Sequence, residues 1–249
     1  MAKQFKDHTD MTSDRQVTGV DKSFLKDIVK VKYNNYSKTA HKKTQIYLHQ
    51  TAGRPDGVGT YAGWATKPYV FGTCVTISRK GFDYYGKPTV DGQINQGFLS
   101  KYYGCHLGIV DSLFDKFGLP WIDIHSLSIG IEICNAGYLT ETHKGWESWY
   151  GEIVPESEMC FLDEPHRGHK AWERFTEPQI ESVYKLLRYW NLEEIHGIPI
   201  KFKGMEIFDI DKRALAGEPG VYTHNSVTYP SVRCDIHPQP EMIEMLKSL

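Results

Sequence analysis

The segment Ser128-Ile129-Gly130-Ile131-Glu132-Ile133-Cys134-Asn135 constrains the fold more than any other. Successive side chains of a strand point to opposite faces, so Ile129, Ile131 and Ile133 share one face and require a core beneath them. The other face carries Ser128, Gly130, Glu132 and Cys134. An exposed strand has no reason to set Gly on one side of its only charge and Cys on the other. The small flanking residues leave space in front of the Glu132 carboxylate, so the chain must fold around a sheet that holds one acid over an opening.

A second alternating segment, Ile46-Tyr47-Leu48-His49-Gln50-Thr51-Ala52-Gly53, puts Ile46 and Leu48 on one face and Tyr47 and His49 on the other. Its imidazole stands at the strand's last residue, beside a Gly-rich loop expected from Gly53 to Gly63. Gly220-Val221-Tyr222-Thr223-His224 alternates into another strand-end His. Phe71 to Ser78 is β-rich, and the turns Arg79-Lys80-Gly81 and Asp91-Gly92 lead to Gln93-Ile94-Asn95-Gln96, so these read as antiparallel strands. Asp21 is expected to cap a short helix to about Lys30, with Phe24, Leu25, Ile28 and Val29 as its apolar stripe. Thr176-Glu177-Pro178-Gln179 is a capping box opening a helix to about His196, stopped by Gly197. A short helix with Met242, Ile243, Met245 and Leu246 closes the chain.

At 249 residues the chain fits one large domain with a core of its own. Residues 1–43 read as an arm, loose over 1–20, followed by the short helix. Residues 44–249 read as the domain, with an aromatic-rich insertion at 138–175. That insertion is either a binding loop or a unit held by its own apolar cluster. A net charge of −2 without a basic tract argues against nucleic acid as partner. No apolar run of 18 residues exists, so no membrane insertion is expected, and a monomer is expected. The five cysteines form no C-x-x-C pair and read as reduced thiols. The N-terminus lacks an apolar run, so synthesis in a cytoplasm without a signal peptide is expected.

Catalytic zinc uses three protein ligands and keeps a fourth position open. His49, His224 and Asp235 offer such a set, each at a strand end or in an extended piece. In Arg233-Cys234-Asp235 an extended backbone turns Arg233 and Asp235 to one side and Cys234 to the other. Arg233 can then hold an oxyanion, and Glu132 can act as general base and acid. A slip of one residue would exchange the faces, so Cys234 is a rival third ligand and His237 a further one. His106 and His125 read as turn, packing or site residues, and His166, His169 and His196 as surface. Cys74 and Cys105 read as buried small hydrophobes.

The segments IYLHQTAG, SIGIEICNAG and GVYTHNSV with the later RCD resemble, in order, the signature segments of the zinc-dependent N-acetylmuramoyl-L-alanine amidases. That family shares its fold with peptidoglycan recognition proteins and phage endolysins, and the resemblance spans roughly residues 44–249. It implies an α/β fold with a mixed, mostly antiparallel central sheet and packed helices. It implies Zn2+ on His49, His224 and Asp235, with Glu132 and Arg233 as catalytic residues. Thr51, His106 and Trp146 become candidate substrate contacts, and peptidoglycan or a muropeptide the expected substrate. Such an enzyme acts on the cell wall if released, as a phage lysin, or on wall fragments in the cytoplasm. The chain departs from the family at Arg233, where Lys is usual, at Thr73, where some members carry Tyr, and at Ile236-His237-Pro238, where Pro-Gly is familiar. The alternatives are a peptidoglycan-binding module without chemistry and a zinc hydrolase of another amide.

Overall fold

The computed structural model describes residues 19–109, 111–231 and 234–249. Its centre is a six-stranded sheet. In chain order the strands are β1 (Val29–Lys30), β2 (Gln45–Gln50), β3 (Val75–Ile77), β4 (Ile94–Gln96), β5 (Ser128–Ile133) and β6 (Gly220–Thr223). Across the sheet they run β1-β4-β3-β5-β2-β6. Only β3 and β4 pair antiparallel, as their turn residues predict. The other four pairs are parallel, so the sheet is mixed but mostly parallel, not mostly antiparallel. Parallel neighbours need long crossovers, and those occupy the stretches between β2 and β5 and between β5 and β6.

Burial follows from this order. A parallel sheet is covered on both faces, and every residue of β2 and β5 is buried. Ile46 and Leu48 pair with Ile129 and Ile131, and β3 adds Val75 and Ile77 to the same core. Each such side chain contributes roughly 1.5–3 kcal/mol on burial, so a register slip would forfeit the whole row.

Helix α1 (Gly57–Trp64) replaces most of the expected Gly-rich loop. Asp56 caps it by accepting from Val58 N, and Gly57 lies so close to the sheet that a Cβ there would stand 2.6 Å from Thr76 Oγ1. Helix α2 (Glu177–Asn191) opens on the predicted capping box and buries Ile180, Val183, Leu187 and Trp190. It ends five residues early because Leu192 is extended; Gly197 closes the following turn with its N–H on Leu192 O. Helix α3 (Pro240–Lys247) packs Met242 and Leu246 into the core. None of the helices among the described residues is long and apolar enough to cross a membrane.

The helix expected after Asp21 is a 3-10 turn, Ser23–Asp27, and its end becomes β1, where Val29 is exposed. The loose arm expected before it lies, up to residue 18, outside the described residues. Phe71–Ser78 yields only a three-residue strand, with Gly72 at φ 91° interrupting the extended run. The 138–175 insertion forms two hairpins, 140–147 and 159–173. Leu139, Val154, Met159 and Ala171 give it a small core of its own.

Candidate metal centre

Ligand sites of parallel sheets lie at the carboxyl ends of the strands, and three candidate residues meet at that edge here. His49 pairs with Glu132 across β2 and β5, and Thr223 pairs with Leu48, which sets His224 next in register to His49. One row therefore runs His224, His49, Glu132, and the period of two turns the latter two to the same face.

The donor atoms converge. His49 Nδ1 lies 3.0 Å from His224 Nδ1, and His224 Nδ1 lies 2.7 Å from Asp235 Oδ2. His49 Nδ1 to Asp235 Oδ2 is 3.9 Å. One atom from each of these residues falls within 4.8 Å of the other two, and all three are buried. Zinc ligands at about 2.0–2.1 Å in tetrahedral array stand about 3.3 Å apart. The observed separations bracket that value, and a two-nitrogen, one-oxygen donor set suits the ion. The residues fit a cation of this kind.

Asp235 is fixed from three sides. Gln50 N–H and Ile236 N–H donate to its Oδ1 at 2.6 and 3.0 Å. The Asn225 side chain donates to the carbonyls of Asp235 and Ile236 and accepts from Asp235 N–H. Burial pushes the Asp235 carboxyl up, but the proton offered by His224, the nearby His49 and Gln50 N–H outweigh it and hold the group at about 2. Gly108 N–H donates to His224 Nε2 at 3.0 Å, which puts the His224 proton on Nδ1, facing Asp235. A cation entering the trio would displace that proton.

Outside the trio, His106 Nδ1 lies 2.9 Å from His49 Nε2, and His106 Nε2 lies 2.9 Å from Ser128 Oγ. Burial, with the imidazoles of His49, His125 and His224 close by, pushes His106 well below the usual histidine range. A neutral ring has one donor and one acceptor, so the run reads His49 Nε2–H to His106 Nδ1, then His106 Nε2–H to Ser128 Oγ. His125, itself pushed down to about 4 by burial, accepts from the N–H of His106 at 3.2 Å. Gly130 leaves the room for this: a Cβ there would sit 2.9 Å from His106 Nδ1 and 2.5 Å from the Thr73 methyl carbon. Thr73 turns its hydroxyl to Val75 O.

Above the trio opens a cavity of about 500 Å³, lined by Thr51, His106, Glu132 and Cys234 besides the trio. Trp64, Phe71, Tyr138, Trp149 and His169 supply aromatic walls. Thr51 and His106 both line this cavity. Trp146 does not: it packs against Phe161 in the hairpin cluster, 5.3 Å between ring centres. Trp149, three residues on at the turn, reaches the cavity instead and donates its indole N–H to Ala52 O. His169 is half-buried in the cavity wall, stacked 3.7 Å from Tyr138, not a free surface residue. His237 is sandwiched between Trp172 and Phe175, outside the donor group. Cys234 lies beside the cavity with its thiol pushed up to about 12 by burial, and it too stands outside the donor group. Arg233 lies outside the described residues. Asn225 and Tyr138 escaped sequence reasoning; only Asn225, as the residue after His224, had a position that could have flagged it.

No family model and no curated protein matches the chain. Among solved structures it is similar to that of PlyL, at 14% identity over 81% of this chain and 82% of that one, with a TM-score of 0.40. It is similar to the endolysin N-acetylmuramoyl-L-alanine amidase LysCS from Clostridium intestinale, at 15% identity over 89% and 93%, with a TM-score of 0.41. It is also similar to the N-acetylmuramyl-L-alanine amidase AmiD from E. coli, solved with anhydro-N-acetylmuramic acid-L-Ala-D-γ-Glu-L-Lys. There the identity is 19% over 62% and 46%, with a TM-score of 0.34. At these values the likenesses carry no residue role across to this chain.

Proposed function

We propose that this protein is a zinc-dependent N-acetylmuramoyl-L-alanine amidase, hydrolysing the amide between the lactyl group of N-acetylmuramic acid and the L-Ala of the stem peptide. The observation that carries the reading is the buried His49–His224–Asp235 trio with Glu132 on the adjoining rung, under an open cavity. The substrate class rests on the three ordered sequence segments, and the aromatic walls Trp64, Phe71 and Trp149 suit stacking against a sugar ring.

His49, His224 and Asp235 would hold Zn2+, which supplies Lewis acidity for an amide carbonyl and lowers the pKa of water. The chain's own residues do the rest. Asn225 and Gln50 hold Asp235 in place, and His106 fixes the tautomer of His49. The Glu132 carboxylate takes a proton from the attacking water and passes it to the amide nitrogen as that bond breaks, so that acid and amine are the products. Thr73 is spent on Val75 O, which leaves the proton transfer to Glu132. Arg233 is assigned to the tetrahedral oxyanion from its sequence position alone.

Purified protein incubated with sacculi should release free stem peptides, and a chelator should stop it while added zinc restores it. Binding to sacculi without release would leave only a recognition module. Release that ignores the chelator would remove the metal from the mechanism.

A further inference from the structure

The second hairpin of the insertion, residues 159–173, ends in a two-residue turn: His166 pairs with His169, and Arg167 and Gly168 lie between them. Both turn residues have positive φ, 50° and 89°. Such a turn favours Asn, Asp or Gly, because the Cβ of other residues crowds the next carbonyl in the left-handed region. Gly168 fits that rule and Arg167 breaks it. What the position gains is the place its side chain reaches, of which only 3% is exposed.

The Arg167 guanidinium crosses from the insertion into the domain. It donates to Asn225 O at 2.8 Å and Thr228 O at 3.3 Å, and it pairs with Asp209 at 3.1 Å. Asn225 belongs to the 3-10 turn His224–Val227, and Thr228 closes that turn by donating its hydroxyl to His224 O at 3.3 Å. Arg167 therefore grips the turn that presents His224. His166, expected at the surface, is half-buried and meets the same Asn225. Asn225 Oδ1 accepts the Asp235 N–H, which fixes its amide nitrogen as the donor. Three acceptors lie in range of that nitrogen: Asp235 O at 3.2 Å, Ile236 O at 2.9 Å and His166 Nε2 at 3.1 Å. Burial and the adjacent guanidinium push His166 down to about 4, so its ring is neutral and free to accept there.

The three candidate ligands differ in how the sheet supports them. His49 is held within β2, between parallel neighbours on both sides. His224 follows the end of β6, and Asp235 lies in no helix or strand. We propose that the hairpin tip, His166 with Arg167, is the positioning element of the candidate metal centre, acting through Asn225 to hold His224 and Asp235 at the spacing a cation needs; this rests on reading the trio as a zinc site. Asn225 adjoins one ligand in the chain and hydrogen-bonds the backbone of the other, so gripping it fixes both. The insertion then braces the centre as well as walling the cavity.

The test is zinc affinity, titrated against a competing chelator, with the melting temperature of each metal-free protein measured beside it. H166L and R167M should each bind zinc about tenfold more weakly than wild type, the low end of what losing an outer partner of a metal ligand costs. H166Q, which returns an acceptor, and R167K, which returns a donor, should each recover part of the loss. L246A, a core truncation on α3 outside the cavity lining, should melt lower yet bind zinc within about twofold of wild type. N225A removes the link, and in that background H166L should change zinc affinity less than about twofold. Wild type that binds no zinc, H166L or R167M equal to wild type, or the same H166L loss with and without Asn225 each overturns the proposal. So does a loss in L246A as large as that in H166L, which would make the effect one of folding. The assay stands apart from hydrolysis. Tip-dependent zinc binding without stem-peptide release would sink the amidase reading alone, and chelator-sensitive release with a zinc affinity indifferent to the tip would sink the tip alone.

Discussion

Replacing His106 by Ala tests whether the second imidazole of the site acts on the first. His106 Nδ1 is the acceptor placed 2.9 Å from His49 Nε2; the His49 ring is buried and the His106 ring is half-buried in the cavity wall. Truncation leaves the His49 N–H buried without that partner, which costs about 1–3 kcal/mol. At about 1.4 kcal/mol per decade that is roughly fivefold to 150-fold in any equilibrium that needs the fixed tautomer. Loss of an outer partner of a metal-bound imidazole typically lowers metal affinity about 10–100-fold. The two routes agree, so H106A should weaken zinc binding about 10–100-fold, read by titration against a competing chelator at neutral pH. H106Q, which returns an acceptor, should recover part of the loss. Were His106 only a substrate contact, as its place in the sequence suggests, zinc affinity would not move and KM alone would rise. Zinc affinity within twofold of wild type in H106A refutes the tautomer argument.

Three further outcomes follow from the same structure. E132Q should keep its zinc but lose about 10²–10⁴-fold in stem-peptide release; near-wild-type turnover would take the proton transfer away from Glu132. T176A removes the cap of α2 and the 2.8 Å bond from Thr176 Oγ1 to Asp91, so urea melts should show a loss of about 1 kcal/mol with zinc affinity intact; an unchanged midpoint would contradict the cap. Burial pushes the Lys43 amine, which donates to Ser126 O at 2.8 Å, down to about 7 from 10.5. The unfolded chain then binds more protons between these values, so this group's penalty is full below pH 7 and fades as pH rises. Between pH 6 and 8.5 wild type should gain about 2 kcal/mol relative to K43M, and parallel stability curves for the two would refute it.

What the sequence made legible was the chemistry that repeats with a local period. His49, Glu132 and His224 stand at strand ends where alternation exposes them, and α2 announces its start through Thr176 and Gln179. A two-residue element such as β1 leaves no periodic trace. Contacts across the chain leave none either. Nothing near residue 106 says that its ring meets residue 49, and nothing distinguishes Trp149 at a turn from Trp146 in a strand until the hairpin is folded.

Strand direction, the feature read wrongly, was nonetheless implied by the candidate ligand set. His49 is the next-to-last residue of β2, and His224 directly follows β6. Had these neighbours run antiparallel, the two strand ends would lie at opposite edges of the sheet, apart by the length of a four-residue strand, about 13 Å. No ion with ligand distances near 2 Å spans that gap. Two strand-end imidazoles meant for one cation therefore require parallel strands or a long excursion by one of them. The 3.0 Å between their Nδ1 atoms reflects the first solution. The same logic extends to Glu132, whose rung on β5 faces His49 only because that pair is parallel as well. A proposed constellation is thus itself a topological constraint, and applied here it selects β6-β2-β5 as a parallel set from the positions of three residues in the chain.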